Sequence, residues 1–337
     1  MKMKAALCKE FKKPLEIEDI PIPEVGPNEV LIKVQYCGIC HSDLHIVDGD
    51  WESWVKLPVV PGHEVAGVVE KVGKEVKNVK EGDRVGMPWL YSSCEICDYC
   101  VEGDEPLCPN HEITGITRQG GYAEYMKAPA HFVTKIPDKL ELSYAAPLFC
   151  AGITVYGALV RLNVKPNELV VIQGIGGLGH LAIQYAKAMG AKVVALSHSD
   201  KEKVAKELGA DYFINSSKQD PIKEINALGG ADAILTTVYD SKSIQNLVNA
   251  LAPRGRLSVV GAAQEPIYVN PFDLITKRIV ITGSAIGGRK LLREMLEFSA
   301  FNNIKPIIQE YAFEDVNKAL DDLRAGKIVL RGVLKFN

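Results

Sequence analysis

The sequence predicts an α/β protein of two domains, one irregular and β-rich and one with a doubly wound parallel sheet. Before residue 150, short β-rich segments alternate with Gly, Pro and Asp turns. After it, apolar strands alternate with helical stretches. The chain has 337 residues, which is enough for about two domains with separate cores. We expect residues 1–150 and 289–337 to form the first domain, and residues 151–288 the second.

Individual elements follow from the same patterns. The β-rich segments of the first domain lie at residues 29–36, 64–72, 84–87 and 123–127. Six apolar strands of the second domain lie at residues 169–173, 192–196, 212–215, 233–237, 256–260 and 279–283. Helical stretches such as 178–189 and 201–208 separate them, and six strands with five crossovers form a doubly wound sheet. Two further helical stretches and a last strand at 329–336 are expected to return to the first domain.

Composition and charge exclude several classes of protein. A hydrophobic content of 47%, a charged content of 24% and a net charge of −3 give no basic surplus for nucleic-acid binding. We expect no run of about 18 apolar residues that could span a membrane. The N-terminal MKMKAALCKEFKK becomes charged too soon for a signal-peptide core. We therefore expect a cytoplasmic protein whose eight cysteines serve metal binding or chemistry rather than disulfides.

Four cysteines lie together in the segment CEICDYCVEGDEPLC. They are Cys94, Cys97, Cys100 and Cys108. Four thiolates in one loop can close a tetrahedral shell around Zn²⁺, which is a structural rather than a catalytic arrangement. An iron–sulfur cluster is the alternative, but the bacterial motif has three residues, not seven, before its last cysteine. Four free thiols in an exposed loop would be chemically unfavourable. The spacing therefore predicts a structural zinc.

The spacing of the other cysteines leaves more than one interpretation open. Cys37 and Cys40 form a C-x-x-C that could act as a redox pair at the end of a strand. Alternatively, Cys40, His63 of the segment PGHE and Cys150 could form a Cys₂His shell with a fourth position open for water or substrate. Buried structural thiols beside a surface histidine are the third possibility, and spacing alone does not decide among the three.

The segment GIGGLG matches the dinucleotide-binding fingerprint G-x-G-x-x-G between a strand and a helix. Its residues Gly174, Gly176, Gly177, Leu178 and Gly179 are expected to contact a cofactor. Such a fingerprint normally leads, about 20 residues on, to an Asp or Glu that accepts the ribose hydroxyls.

Here the strand ends in Ser197 instead of a carboxylate, so nothing at that position repels a 2′-phosphate. The residues expected to offer donors to that phosphate are Ser197, His198, Ser199, Lys201 and Lys203. The sequence therefore predicts NADP as the preferred cofactor. NAD is the alternative, held by its pyrophosphate contacts, because the turn has no arginine.

With these motifs in one order, the chain resembles the zinc-dependent medium-chain alcohol dehydrogenases over nearly its whole length. It is most similar to their short microbial and yeast-type branch. The matching segments are GICHSDLH (38–45), GDW (49–51), PGHE (61–64), GDRVG (82–86), the four-cysteine loop, GGYAEY (120–125), CAGITVY (150–156), GIGGLGHLAIQYAKAMG (174–190) and GKIVLRGVLKF (326–336). The resemblance implies a GroES-like catalytic domain and a Rossmann cofactor domain. The serine-rich turn is similar to that of NADPH-dependent cinnamyl-alcohol-type relatives.

The resemblance implies a catalytic zinc held by one shell of side chains. Its ligands are Cys40, His63 and Cys150, with Glu64 as an occasional fourth. Alcohol dehydrogenases are themselves the standard example of a Cys₂His shell with an open position. Cys37 then falls at a position that binds no metal, which disfavours the redox pair.

Further side chains around the metal also acquire roles by resemblance. Asp43 would orient the ligand histidine, as carboxylates commonly do at such sites. Ser42 and His45 would carry a proton between the substrate and solvent. Trp51 and Trp89 would line the substrate pocket, although tryptophans also occupy cores that have no function.

Other positions are implied to bind the cofactor. His41 and Arg331 would neutralise its pyrophosphate, and Thr154 would touch it near the metal. The residue before Arg331 is Leu330, where the family usually has glycine. The histidines expected on the surface or in loops, without a role, are His111, His131 and His180.

The activity implied is hydride transfer between a nicotinamide cofactor and a primary alcohol or aldehyde, by a homotetramer with two zincs per chain. A polyol- or secondary-alcohol-type zinc dehydrogenase is the alternative, but those enzymes usually carry a carboxylate at the position of Cys150. A non-catalytic dinucleotide-binding zinc protein is more remote, because Cys40, His63 and Cys150 are all present.

Overall fold

The computed structural model describes the whole chain, from Met1 to Asn337. Its strands are β1 Lys2–Leu7, β2 Glu16–Pro21, β3 Glu29–Ile39, β4 Val65–Val72, β5 Arg84–Met87, β6 Leu90–Ser92, β7 Glu112–Ile113, β8 Tyr125–Pro129, β9 Thr134–Lys135, β10 Leu169–Gln173, β11 Lys192–Ser197, β12 Tyr212–Asn215, β13 Ala231–Thr236, β14 Leu251–Val259, β15 Val280–Gly283, β16 Ile308–Ala312 and β17 Arg331–Lys335. Its α-helices are α1 His41–Val47, α2 Asp98–Glu102, α3 Leu142–Pro147, α4 Ile153–Arg161, α5 Gly179–Ala188, α6 Glu202–Glu207, α7 Pro221–Ala227, α8 Ser241–Leu247, α9 Pro271–Lys277, α10 Arg289–Asn302 and α11 Val316–Arg324.

The chain forms two compact units. Unit 1 contains Met1–Cys150 and Gly287–Asn337, and unit 2 contains Ala151–Ile286. In unit 1, a seven-stranded sheet has the order β16-β17-β3-β4-β5-β9, with β8 paired to β3. The C-terminal strand β17 runs antiparallel to β3, with Leu334 opposite Cys37. The end of the chain thereby completes the sheet beside the strand that leads into Cys40.

Unit 2 contains one six-stranded parallel sheet in the order β12-β11-β10-β13-β14-β15. All neighbouring strands are parallel, and the apolar residues Val170, Val171 and Ile172 of β10 are fully buried. Burial on both faces is the reason why these strands read as continuous apolar runs in the sequence. The order reverses between β10 and β13, which is where doubly wound sheets bind ligands outside the carboxyl ends of their strands. The predicted fold class is confirmed.

The turn after β10 shows why its glycines are needed. Gly174 has φ +91°, and a Cβ on Gly179 would lie 1.7 Å from the Gly174 carbonyl oxygen. Only glycine therefore lets α5 approach the end of β10 so closely. A Cβ on Gly176 would meet nothing within 4 Å, so the space above this turn is open.

The structure adds strands to the predicted elements. The N-terminal segment, which has no element assigned to it above, forms β1 and pairs antiparallel with β2. The expectation that no segment is apolar enough to cross a membrane meets one exception, by length and composition alone. The helical stretch Leu142–Arg161 has 20 residues and a mean hydropathy of 1.5. However, 83% of its apolar window is buried inside the structure, as in a core helix.

Candidate metal centres and cofactor site

The four-cysteine loop brings its sulfur atoms together. Cys97 Sγ lies 3.5 Å from Cys100 Sγ, Cys94 Sγ lies 3.5 Å from Cys108 Sγ, and Cys94 and Cys100 are 3.9 Å apart. A tetrahedral zinc with Zn–S bonds of about 2.3 Å requires sulfur atoms about 3.8 Å apart. The short helix α2 carries Cys100 and ends at Gly103 in the left-handed conformation, which turns the chain back toward Cys108. The loop therefore fits a zinc with no open position.

An ion-pair cluster that could not be predicted from the sequence links this loop to Arg289. Glu105 lies between Cys100 and Cys108, and its buried carboxylate accepts a 2.8 Å hydrogen bond from Arg289 Nε. Arg289 also donates to Glu95 at 2.6 Å, and its guanidinium lies over the Phe132 ring at 4.5 Å. No local signal links residues so far apart in sequence.

A second cluster combines residues from three segments of unit 1. The side-chain donors of Cys40, His63, Glu64 and Cys150 all lie within 4.8 Å of one another. Antiparallel pairing of β3 with β4 places Cys37 opposite Val65, so the ends leading to Cys40 and from His63 are neighbours. Cys150 lies in the π-helical turn Leu148–Gly152, a type of irregularity frequent at functional sites.

The donor set of this cluster fits a catalytic zinc. His63 is fully buried, and its Nε2 has no hydrogen-bond partner, while Nδ1 lies 3.2 Å from Asp43 Oδ1. An unpartnered buried nitrogen is costly unless it binds something. A hydrogen bond with Cys150 and the neighbouring His63 imidazole lower the pKa of Cys40, which favours the thiolate that a metal binds. Cys37 is buried outside this cluster.

Glu64, a member of this cluster, forms a buried ion pair with Arg331. The Arg331 guanidinium donates to Glu64 Oε1, while Glu64 Oε2 has no partner. Burial raises the pKa of Glu64 to about 7. Leu330, where the resemblance leads one to expect glycine, has φ +65°, so this position keeps the left-handed backbone that glycine favours. The structure thus places Arg331 against the candidate metal-binding cluster.

The proposed relay residues lie near the cluster without a direct hydrogen bond between them. Ser42 Oγ is 3.7 Å from Cys40 Sγ. His45 Nδ1 is 2.7 Å from Asp50 Oδ2, and its ring lies 4.8 Å from that of Trp51. His41 is the exposed first residue of α1.

Aromatic ring contacts connect His45 with the buried His63. The Trp51 and Trp89 rings are 5.9 Å apart, and Trp89 meets the His63 ring edge-on at 4.9 Å. Trp89 therefore lies beside the candidate metal centre, and Trp51 packs against Trp89. Thr154 belongs to α4 in unit 2, where it is buried.

The turn after β11 carries the predicted cofactor residues in unit 2. Ser197 Oγ accepts a 3.2 Å hydrogen bond from the Ser199 amide, and Lys201 Nζ donates to the Ile175 carbonyl at 2.7 Å. The second bond ties this turn to the glycine-rich turn. His198, Ser199 and Lys203 are exposed.

A cavity of about 460 Å³ opens beside this turn. It is lined by Gly174, Ser197 and His198, among others, and also by Asp220 and Asp240. Each of these two carboxylates caps a helix by accepting backbone N–H groups, which offsets its charge.

One histidine expectation was wrong. His180 is fully buried rather than on the surface or in a loop, and its Nδ1 lies 3.0 Å from the Gly176 carbonyl oxygen. It belongs to the first turn of α5, so helical position rather than composition decided its burial.

Known proteins share this architecture. Residues 26–138 match the alcohol dehydrogenase GroES-like domain, and residues 177–300 match the zinc-binding dehydrogenase domain. An alcohol dehydrogenase of Geobacillus stearothermophilus is 46% identical over 336 residues, covering 99% of both chains.

Solved structures agree with these matches. A cinnamyl alcohol dehydrogenase from Sorghum bicolor superposes with a TM-score of 0.90 at 32% identity, covering 99% of this chain and 98% of that one. A CAD from Helicobacter pylori complexed with NADP(H) gives a TM-score of 0.87 at 31% identity, with 99% of each chain covered. Together with the clustered cysteines and histidine, these matches show that the protein is an oxidoreductase that belongs to the zinc-dependent medium-chain alcohol dehydrogenase family.

Proposed function

We propose that the protein interconverts primary alcohols and aldehydes with two zincs per chain, one held by the four-cysteine loop and one by Cys40, His63 and Cys150. The unpartnered, buried His63 Nε2 beside two thiols is the observation that carries this proposal. When bound there, zinc supplies Lewis-acid polarisation of the substrate oxygen. Glu64 is proposed as an occasional further ligand, since its Oε2 has no partner.

The chain's own residues orient the reactants and move the proton. Asp43 accepts the His63 Nδ1 hydrogen, which leaves Nε2 as the donor atom toward the metal. Ser42 is proposed to take the proton near Cys40, and the half-buried His45 to pass it to solvent. Because no direct hydrogen bond joins Ser42 to His45, the path requires a bridging water or hydroxyl. Trp51 and Trp89 are proposed as an apolar wall that excludes water from the substrate.

Unit 2 is proposed as the cofactor-binding domain, with NADP preferred over NAD, and unit 1 as the catalytic domain. Ser197 supports this proposal, because it places a hydroxyl at the position where an acidic residue would repel the 2′-phosphate. The exposed side chains of His198, Ser199 and Lys203 are proposed to donate to that phosphate. Lys201 is proposed as a further cation, although it also donates to the Ile175 carbonyl.

The remaining cofactor contacts are also proposals. Gly174, Gly176, Gly177, Leu178 and Gly179 would cradle the pyrophosphate at the start of α5. His41 and Arg331 are proposed to neutralise it. The pairing of Arg331 with Glu64 means that Arg331 would serve the metal site at the same time. Thr154 is proposed to touch the nicotinamide end.

A homotetramer in the cytoplasm is proposed as the working state. Helix α9 buries none of its residues, and its Phe272 and Ile275 are 67% and 73% exposed. Val280 on β15, an edge strand of the sheet, is 53% exposed. Exposed apolar side chains on a sheet edge and its neighbouring helix favour association. All eight cysteines are free thiols, which fits a reducing compartment.

A substrate panel tests the proposal. Primary alcohols, secondary alcohols, polyols and the corresponding aldehydes are assayed with both cofactors on protein of measured zinc content. We expect about two zincs per chain and the highest kcat/KM for primary alcohols or aldehydes with NADP. Preference for polyols or secondary alcohols would support the alternative class. Cys150, a thiol where those enzymes usually have a carboxylate, argues against that alternative.

A further inference from the structure

We propose that Tyr122 is a positioning residue for the catalytic metal site, acting on the ligand His63 through the carboxylate of Asp43. The inference rests on the proposed catalytic zinc. It adds to that site a side chain that binds no metal and to which the segment GGYAEY by itself assigns no role.

Asp43 is fully buried and receives four contacts from protein groups. Its Oδ2 accepts hydrogen bonds from the Tyr122 hydroxyl and the Cys40 amide, both at 2.9 Å. Its Oδ1 accepts one from the Gly62 amide at 3.2 Å and lies 3.2 Å from His63 Nδ1. Two of the donors are therefore backbone groups of the segments that carry the ligands, and Tyr122 supplies the one side-chain donor besides His63.

The position of the Tyr122 hydroxyl is set by tight packing. The side chain is fully buried, and a Cβ on Gly62 would lie 2.4 Å from Tyr122 Cδ1. Gly62 also has φ +94°, so this turn requires glycine for both its backbone and its contact with the ring. The Tyr122 amide donates to the Pro61 carbonyl at 3.0 Å. Ring and backbone are thus fastened to the turn that leads directly into His63.

The consequence for the metal follows from hydrogen-bond geometry. Without the hydroxyl, Oδ2 keeps only the Cys40 amide, and the buried carboxylate loses a donor that fixes its plane. The His63 ring would then be held less firmly in the tautomer that presents Nε2 to a metal. Loss of an outer partner at such sites typically costs about 10–100-fold in metal affinity.

The test is Tyr122→Phe, which removes only the hydroxyl. Its matched control is Tyr91→Phe, because Tyr91 is also buried in unit 1 and donates to the Lys127 carbonyl at 3.2 Å, outside the Asp43 network. Zinc affinities of both sites are measured by chelator competition, and Co²⁺ absorption reports the ligand geometry. We expect Tyr122→Phe to weaken the Cys40–His63–Cys150 site by about tenfold or more. The zinc of the four-cysteine loop and both sites of Tyr91→Phe should be unchanged.

A double variant separates positioning from general packing. If Tyr122 acts through Asp43, adding Tyr122→Phe to Asp43→Asn should weaken the metal site much less than it does in the wild type. Additive losses, or equal weakening of both zinc sites, would overturn the inference in favour of a structural role. If the wild type binds two zincs and Tyr122→Phe binds both with unaltered affinity, the inference about Tyr122 is overturned while the proposed function stands. A single zinc in fully loaded wild type would overturn the proposed two-zinc function and the inference with it.

Discussion

Arg289 Nε donates a 2.8 Å hydrogen bond to Glu105 Oε1, and the Arg289 amide donates to Glu105 Oε2 at 3.3 Å. Glu105 belongs to the four-cysteine loop, and Arg289 is the first residue of α10. The carboxylate therefore caps a helix that follows it by 184 residues in sequence. Negative charge at a helix N-terminus is stabilising, and here it joins the four-cysteine loop to the segment that returns to unit 1.

Glu105→Gln should destabilise unit 1, because the Arg289 guanidinium loses the buried one of its two charged partners and keeps only Glu95. We expect a loss of about 2 kcal/mol in the free energy of unfolding. Denaturant unfolding followed by tryptophan fluorescence measures it, since Trp51, Trp54 and Trp89 all lie in unit 1. Asp19→Asn, which removes an exposed ion pair with Lys4, is the control and should cause no resolvable change. Equal unfolding midpoints for the wild type and Glu105→Gln would show that the Glu105–Arg289 ion pair does not stabilise unit 1.

Cys97→Ala should remove one zinc per chain and lower thermal stability, because three thiolates no longer close the shell of the loop. The second site should keep its metal. Metal analysis together with a melting curve measures both effects. A wild-type content of one zinc per chain would disprove the two-site arrangement.

Cys40→Ala and His63→Ala should each lose the second zinc and nearly all turnover, since no other group would stabilise the substrate alkoxide. Cys37→Ala is the matched control, because Cys37 is a buried thiol on β3, three residues before Cys40, and lies outside the donor cluster. It should retain most of its zinc and activity. Equal damage in Cys37→Ala would mean that the ligand is assigned to the wrong cysteine.

His45→Ala should slow alcohol oxidation mainly at lower pH, where bulk base cannot replace the imidazole as proton acceptor. The pH profile of kcat/KM tests this expectation. His131→Ala, which changes a more exposed histidine near Glu95, should leave the profile unaltered. If His45→Ala shows the wild-type profile, His45 takes no part in proton transfer.

Ser197→Asp should reverse the cofactor preference. Two unit negative charges about 4 Å apart repel by roughly 4 kcal/mol at a surface-like dielectric, so an aspartate there should reject the 2′-phosphate. In the wild type we expect kcat/KM with NADP to exceed that with NAD by at least about tenfold, or about 1.4 kcal/mol. A wild-type preference for NAD would show that Ser197 merely ends its strand.

Several features could be predicted because their signals are local. Burial of a parallel strand on both faces produces a continuous apolar run, so all six strands of unit 2 were recognisable, with shifts mainly at their ends. The glycine-rich turn follows from its spacing, and the structure shows the 1.7 Å clearance that requires Gly179. The clustering of the cysteines at 94, 97, 100 and 108 could also be predicted, because all four lie in one short loop.

Other relationships depended on distant segments and required the tertiary structure. The strand pairing of β3 with β4 and the π-helical turn bring Cys40, His63 and Cys150 within 4.8 Å of one another. The hydroxyl of Tyr122 reaches Asp43 across 79 positions, and Arg289 reaches Glu105 across 184. Composition and periodicity report which residues become buried, because burial follows from local pattern. They do not report which buried polar groups become partners, because packing between distant elements decides that.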